Sequence, residues 1–329
     1  MSAKIGVLLA NVGTPDELTI KSIRRYLSQF LWDERILDMH PFLRGLLIHG
    51  LILRTRPAKT LHAYRAIWTA QGSPLLVFSE QLKNQVQEHL GPDYVVELGM
   101  GVGSPSIPQA LKKLSSLSKL VIVPLFPQYA AATTASVLSA VFRHLSKQWD
   151  IPQVTTIGPF YHEPEFIRLL SSKIQAHLKG HLLFSFHSLP VRHIEKSKCL
   201  GLKDKSCLIK GCPERAPEHC YRAQCFQTST EIVKILGIHD YTVAFQSRLG
   251  SAQWIGPNLE EALANLARRG IKDLTVVCPS FVTDCLETLE EIGIRLRDTW
   301  MREHQGRSFH LVPCLNADEE WSQLLSSGL

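Results

Sequence analysis

Long apolar runs and dense clusters of one charge are both missing from this chain of 329 residues. No apolar stretch reaches the roughly 20 residues that a membrane-spanning helix needs, so we expect no such helix. The net charge is only +6 with histidines neutral, and no Lys/Arg run is interleaved with aromatic residues. The chain therefore gives no sign of binding nucleic acid. An anionic small molecule or an anionic membrane surface suits its mild basicity equally well.

A secretory signal peptide is also absent. The apolar residues 5–10 are stopped at once by Asn11, Gly13 and Pro15, which favours a first strand over a signal sequence. We therefore expect a cytoplasmic protein. The chain has eight cysteines, and in a reducing compartment these favour metal ligands or reactive thiols over disulfides.

Short apolar strands alternate with helical patterns along the whole chain. Strands are predicted at residues 4–10, 95–103, 120–126, 181–187, 242–246 and 274–278. Helices are predicted from about Thr19 and at 79–90, 107–117, 134–148 and 259–269. This alternation is typical of βαβ units and parallel sheets. We expect two α/β domains, residues 1–155 and 156–329, with a cleft between them and with the last helix able to pack back on the first domain.

The dinucleotide-binding fingerprint is not present after the first strand. Gly13 follows that strand, but no second and third glycine follow at the required spacing. The sequence also shows no other cofactor fingerprint that would serve an electron-transfer protein.

A histidine ends the most apolar strand of the second half. Residues 182–186 lead directly into His187, and the run stops at Pro190. Open α/β sheets bind their ligands at the carboxyl ends of strands, and imidazole titrates near neutral pH. His187 is therefore either a proton acceptor in the cleft or a hydrogen-bonded core histidine.

Two carboxylates lie four residues apart on a helix predicted from Asp284. That spacing places Glu287 and Glu291 on one helix face. Asp284 followed by Glu287 also approximates a capping box, which would make the acids structural. Like His187, they follow a strand end in the second half, and this favours a shared site.

Residues 41–53 are too short to span a bilayer and too apolar for a solvated loop. They form either a core helix or an exposed apolar segment at the edge of the cleft that contacts a membrane or a hydrophobic ligand. Arg54 and Arg56 follow, and such flanking arginines suit anionic head groups.

Five of the eight cysteines lie in residues 196–225, a polar stretch without periodicity that we interpret as an insertion. Four of them, Cys199, Cys207, Cys212 and Cys220, are spaced C-x7-C-x4-C-x7-C. Four thiolates suit a 2Fe–2S cluster or a zinc site. The lack of close C-x2-C pairs favours the cluster. Cys278 and Cys285 are interpreted as buried thiols, and Cys314 has no cysteine near it in the sequence.

Motifs spread over nearly the whole chain resemble those of the ferrochelatases, enzymes that insert ferrous iron into a porphyrin. The shared segments are residues 9–15, 72–74, 127–129, 184–190, 245–248, 254–257, 284–289 and 315–316. The resemblance implies an α/β fold of two Rossmann-like, chelatase-type domains, each a parallel sheet flanked by helices, with a porphyrin cleft between them. It implies insertion of Fe2+ into protoporphyrin IX to give protohaem, or into coproporphyrin III or another tetrapyrrole.

The resemblance also implies roles for individual residues. His187 and Glu287 would be catalytic and would bind the iron substrate, with Glu291 continuing an acidic path that Arg295 ends. The porphyrin would contact Val12, Ser73, Tyr129, Trp254 and either Arg54 or Arg56. Valine at position 12 favours protoporphyrin, since relatives that use coproporphyrin tend to carry tyrosine there.

The cysteine-rich stretch resembles an internal cluster of some bacterial relatives, and the resemblance implies that Cys225 is the non-ligand among its five cysteines. It departs from animal relatives, because Ala131 stands where they carry a cluster cysteine and no cysteines follow at the carboxyl end. Two alternatives outside this enzyme class remain open: a metal-stabilised α/β binding protein and a redox protein built on the cysteines. The expected partners are thus porphyrin, ferrous iron and the inner face of a membrane.

Overall fold

The fold consists of two four-stranded parallel sheets with the same strand order. The computed structural model describes residues 4–197, 207, 218–248 and 252–329. The first sheet has the order β2-β1-β3-β4 and the second the order β6-β5-β7-β8, with all adjacent strands parallel. The strands are β1 (Ile5–Gly13), β2 (Tyr94–Val102), β3 (Lys119–Pro124), β4 (Gln153–Thr156), β5 (His181–His187), β6 (Tyr241–Gln246), β7 (Asp273–Val277) and β8 (Ser308–Leu311). The expected α/β architecture is confirmed.

Helices flank both sheets. Those of the first half are α1 (Ile20–Trp32), α2 (Pro41–Gly45), π1 (Leu46–Ile52), α3 (Leu53–Thr55), α4 (Pro57–Ile67), α5 (Pro74–Leu90), α6 (Ile107–Lys113), π2 (Ala131–Ala135) and α7 (Ser136–Leu145). Those of the second half are α8 (Pro164–His177), α9 (Val191–Lys196), α10 (Tyr221–Leu236), α11 (Leu259–Arg268), π3 (Glu287–Leu296), α12 (Arg297–Glu303) and α13 (Glu319–Ser327). No helix among these described residues is long and apolar enough to cross a membrane.

The central strands β1 and β5 are buried on both faces, as their nearly continuous apolar sequences require. The bounds of β5 agree with the predicted strand at 181–187. β1 extends three residues past the predicted end, because its pairing with β2 continues to Gly13 opposite Val102. Gly13 has a φ of 109°, and a Cβ there would lie 1.9 Å from the Val102 carbonyl oxygen. Only glycine fits this close approach of two backbones.

The helix predicted from Asp284 begins later and has a different geometry. π3 starts at Glu287, and no side chain caps it, so the capping box is not formed. The Asp284 carboxylate instead accepts hydrogen bonds from the Asn316 amide (2.8 Å) and the Thr288 hydroxyl (2.8 Å). Asp284 therefore joins the start of this helix to the loop after β8.

The last helix of the chain lies against the first half. α13 packs on α5 and α8, and its Trp321 is buried beside Phe160 and Phe166. His89 of α5 lies 3.0 Å from the Ser322 hydroxyl. The carboxyl-terminal residues thus help to cover the core of the amino-terminal sheet.

The segment at 41–53 combines both of the structures that its sequence allows. Ile48 is fully buried, whereas Phe42 is 74% and Leu46 64% exposed, and Leu43 and Leu51 are also exposed. Arg44 is buried and donates to the carbonyls of Trp32 (2.9 Å), Leu37 (3.0 Å) and Met39 (2.9 Å). The segment is therefore a helix with one anchored face and one exposed apolar face.

Candidate functional site

A cavity of about 1350 Å³ lies between the carboxyl ends of the two sheets. Its wall includes residues at the ends of β1, β5 and β6 and, after β7, Ser280 and the start of π3. Strand order reverses between β1 and β3 and between β5 and β7, and open α/β sheets bind ligands at such switch points. Position alone therefore marks this cavity as the candidate site.

His187 lines the cavity at the end of β5. Its Nδ1 lies 2.6 Å from the Ser188 carbonyl oxygen, which can only accept a hydrogen bond, so Nδ1 carries the proton. In the neutral ring, Nε2 then bears the lone pair. The alternative of a histidine enclosed in the core does not apply, because the side chain is only partly buried.

Glu287 lines the same cavity at the first turn of π3. The Gln246 amide donates to its backbone carbonyl at 3.1 Å, which fixes this turn against the end of β6. Two phenols, the partly buried Tyr26 and the buried Tyr64, also line the cavity. Burial raises the pKa of each, and the nearby Glu287 charge raises it further, so both stay protonated beside the carboxylate.

Glu291 lies one turn beyond Glu287 and accepts a hydrogen bond of 2.6 Å from the Ser247 hydroxyl. Burial raises the pKa of Glu291, although that hydrogen bond and the charge of His187 lower it; the Glu287 charge raises it. His187 and Glu287 thus both act on Glu291 within one cavity. The described residues contain no group of three or more His, Cys, Asp or Glu close enough to hold a metal ion by themselves.

The π geometry of this helix brings Arg295 onto an acidic residue that an α-helix would keep away. The Arg295 guanidinium Nε donates to both carboxylate oxygens of Glu290, at 3.0 and 2.9 Å. On an α-helix, the side chains of residues five apart point about 140° away from each other around the axis. In the wider π turn they come onto the same side. Arg295 also lies 3.9 Å from the Glu291 carboxylate. The Arg295 guanidinium therefore lies beside both the Glu290 and the Glu291 carboxylates.

The structure brings some of the predicted porphyrin contacts to the cavity and leaves others outside it. Val12, Ser73 and Trp254 line it, and so does Arg56. Among the described residues, neither Arg54 nor Tyr129 belongs to its wall. The Tyr129 ring instead stacks on His219 with centroids 4.4 Å apart. Lys59 and Arg192 also line the cavity; no motif in the sequence marked them.

Two of the four predicted cluster ligands belong to the described residues. Cys207 and Cys220 are buried and share one apolar cluster with Cys225. Cys199 and Cys212 lie outside the described residues. The thiols of Cys278, Cys285 and Cys314 are buried as well, which raises the pKa of each. Although Cys314 has no cysteine near it in sequence, the fold places it near Cys278 and Cys285.

Comparison with known proteins assigns the family. The family model described as Ferrochelatase matches residues 4–328. A ferrochelatase of Legionella pneumophila (strain Philadelphia 1) is 44% identical over 326 residues, covering 98% of this chain and 97% of that protein. One of Coxiella burnetii (strain RSA 493) is 46% identical over 329 residues, covering 97% and 91%.

Solved structures with low sequence identity share the fold. SirB from Bacillus subtilis with Fe3+ aligns with a TM-score of 0.54 at 11% identity, over 98% of this chain and 93% of that one. The sirohydrochlorin chelatase SirB in complex with cobalt aligns with a TM-score of 0.52 at 10% identity, over 98% and 93%. Both support the two-sheet chelatase architecture. On the match along nearly its full length and on the identity of these relatives, the chain belongs to the ferrochelatase family.

Proposed function

We propose that this chain, as a ferrochelatase, inserts Fe2+ into protoporphyrin IX in the cavity between the two sheets, with His187 and Glu287 removing the pyrrole protons. Each metallation exchanges two N–H protons for one Fe2+. The observation that carries the assignment is the His187 imidazole, whose Nδ1–H is held by the Ser188 carbonyl. Its Nε2 lone pair is thereby left to accept a proton in a cavity that Glu287 shares.

The second proton goes to the carboxylate of Glu287. Glu291 lies one turn away on the same helix. Glu291 can then pass the proton outward, since its carboxylate already bonds the Ser247 hydroxyl. Iron is the substrate, and His187, Glu287 and Glu291 supply the nitrogen and oxygen donors that would contact it before transfer.

The porphyrin is a large apolar disc with anionic propionates. Val12 and Trp254 would contact the disc, and the buried Ser73, bonded to the Thr14 hydroxyl at 2.7 Å, would contact its edge. Of the two candidate arginines, Arg56 is the one at the cavity wall, so we propose Arg56 rather than Arg54 for a propionate.

An anaerobic iron-insertion assay with two porphyrins tests this function. We expect His187→Ala to stay folded and to bind protoporphyrin IX, which quenches protein fluorescence, but to insert no iron. We expect protoporphyrin IX to be preferred over coproporphyrin III because position 12 carries an apolar valine in place of a tyrosine. Near-normal turnover of the His187 variant would overturn the catalytic assignment. A preference for coproporphyrin III would overturn the substrate assignment alone.

We further propose that Cys199, Cys207, Cys212 and Cys220 hold a 2Fe–2S cluster. Support comes from the two ligands that are described: Cys207 and Cys220 are each buried in the main apolar core. Soft thiolates shielded from water suit iron–sulfur ligation. Such a cluster, when bound, would supply a redox-sensitive centre outside the porphyrin cavity.

Anaerobically purified protein tests the cluster. We expect a red-brown protein with iron and acid-labile sulfide near two each per chain. Serine at any of the four positions should bleach it, whereas Cys225→Ser should not. A colourless protein with one bound zinc would overturn the cluster. Bleaching by the Cys225 change would overturn the ligand set.

We also propose that the protein works in the cytoplasm and touches the inner face of a membrane through the segment at 41–53. The exposed side chains Phe42, Leu43, Leu46 and Leu51 give it an apolar face that would lie in the membrane interface. Arg54 and Arg56 follow the segment and are exposed, where they can contact anionic head groups. A segment placed there would let a poorly soluble porphyrin pass between membrane and cavity.

A further inference from the structure

The peptide that joins His187 to Ser188 is held at both ends. Its carbonyl oxygen accepts a hydrogen bond of 2.8 Å from the Tyr221 hydroxyl. Its N–H donates to the Gln246 carbonyl at 2.8 Å. Tyr221 belongs to α10 and Gln246 to β6, so two different elements fix the plane of this one peptide.

The orientation of this peptide determines where the imidazole points. The Nδ1–H of His187 bonds the Ser188 carbonyl, and the Ser188 hydroxyl is itself fixed at 2.9 Å from the Ile255 carbonyl. Rotation of the preceding peptide would carry the Ser188 carbonyl away from Nδ1. The tautomer with its lone pair on Nε2 would then lose the contact that selects it.

Tyr221, Ser280 and His187 form a closed ring of hydrogen bonds. The His187 backbone N–H donates to the Ser280 hydroxyl oxygen at 3.4 Å, and the Ser280 and Tyr221 oxygens lie 2.8 Å apart. Each hydroxyl has one proton, and that of Tyr221 goes to the His187 carbonyl. The Ser280 proton therefore goes to the Tyr221 oxygen. Both backbone groups of His187 thus bond to one two-hydroxyl unit.

Tyr221 directly follows Cys220, the last of the four predicted cluster ligands. Cys220 is buried. One turn further along α10, the Gln224 amide donates to the Glu218 carbonyl at 2.6 Å, and its side-chain oxygen accepts from the Tyr129 N–H at 2.6 Å. The end of the stretch is therefore tied to the first turn of the helix that carries Tyr221.

From this geometry we propose that Tyr221 is a positioning residue for His187 and that it transmits changes at Cys220 to the imidazole. A buried hydroxyl needs a partner wherever it lies, and that need alone does not explain why both backbone groups of the catalytic histidine are its partners. The proposal rests on the proposed catalytic role of His187. It gives the cysteine-rich stretch a function: a structural change at Cys220 alters the orientation of the His187 imidazole through the Tyr221 side chain.

The first test compares Tyr221→Phe with Tyr241→Phe. Tyr241 is a partly buried tyrosine of β6 whose ring packs edge-on against Phe184, and it does not line the cavity. The protein is labelled with 15N-histidine and is free of porphyrin and added iron. Tyr221→Phe should move the 15N chemical shifts of the His187 ring toward those of a mixture of tautomers. His187→Gln identifies the signal. The kcat of Tyr221→Phe should fall about tenfold, the equivalent of one hydrogen bond. Its porphyrin KM should be unchanged because the imidazole ring remains in place.

A purely structural role for Tyr221 predicts something different: a lower melting temperature with an unchanged His187 signal and unchanged kcat, and that result would overturn the positioning role. Tyr241→Phe should change neither. The imidazole signal reports position whether or not His187 is catalytic. If Tyr221→Phe shifts the His187 signal but both Tyr221→Phe and His187→Ala keep normal turnover, the proposed function is wrong and the positioning role stands.

The second test is a double-mutant cycle on the same signal. Cys220→Ser should shift the His187 nitrogens in the wild-type background and should have no further effect in the Tyr221→Phe background. Cys207→Ser serves if Cys220→Ser does not yield folded protein. An equal shift in both backgrounds, or none in either, would overturn the transmission through Tyr221.

Discussion

Replacing Glu287 by glutamine separates catalysis from helix stability at one position. The change keeps the shape of the side chain and removes its charge. Glu287 is the first residue of π3, but no side-chain hydrogen bond caps that helix. The Gln246 amide bonds the backbone carbonyl of Glu287, not its carboxylate. The substitution therefore removes no capping interaction.

The expected magnitudes follow from these contacts. Loss of a cap would cost about 1 kcal/mol, whereas we expect the free energy of unfolding to change by no more than about 0.5 kcal/mol. That corresponds to a shift in Tm of about 2 °C or less for a chain of this size. Loss of a positioned proton acceptor should lower kcat by about 10²- to 10⁴-fold, or about 3–5 kcal/mol in activation free energy.

Thermal melts and anaerobic iron insertion, measured on the same preparations, check this expectation. Glu290→Gln is the matched control, because it makes the same change on the same helix but removes the charge and one of the two oxygens that accept from the Arg295 Nε. We expect that control to lower Tm and to keep most of the rate. If Glu287→Gln instead lowers Tm and keeps its rate, the carboxylate is structural and the assignment fails.

Three further outcomes are expected. Burial raises the pKa of Glu291, so folding favours its neutral form. The stability that this preference contributes is complete below the unfolded pKa of about 4.3 and is lost as pH rises through the folded pKa. Glu291→Gln should therefore raise Tm at pH 8 but not near pH 4, and an equal change at both pH values would contradict this. Serine at both Leu43 and Leu46 should abolish sedimentation with anionic liposomes and keep Tm, since both are exposed; Ile48→Ala, in the buried face, should instead cost about 2–5 kcal/mol. Arg44→Met should speed hydrogen exchange in residues 33–40, because three carbonyls there and in the adjoining helix lose their donor; unchanged exchange would show that the loop is held by other contacts.

Local patterns were sufficient to predict six of the eight strands and the position of His187 at the end of one of them, whereas β4 and β8 were not predicted. The bounds of β5 follow from an apolar run closed by Pro190, and His187 lies at its end because the sheet is parallel. The helix cap Thr19, which accepts from the Ser22 N–H at 3.2 Å, agrees with the helix predicted from about that residue. These features depend on neighbours in the chain, so the sequence contains them.

The features that sequence reasoning missed depend on contacts between distant segments. π turns leave no signature in a 3.6-residue pattern, because their wider geometry is held by packing on other elements. π3 in particular could not be anticipated, nor the Glu290–Arg295 pairing that it creates. Asp284 has the sequence of a cap, yet its partner Asn316 lies 32 residues away. Tyr221 is likewise one more apolar position of a helix until the fold brings its hydroxyl to His187.

The packing of α13 on α5 has a consequence for synthesis of the protein. Residues 74–90 leave the ribosome well before the helix that covers them, at 319–327. At roughly 10 residues per second, more than 20 s separate the two. From their own synthesis until that of residue 321, Phe160 and Phe166 lack Trp321, the ring that packs against both. The nascent chain therefore exposes this apolar surface until residues 319–327 have been made, and it is during this interval that we expect chaperones to bind it.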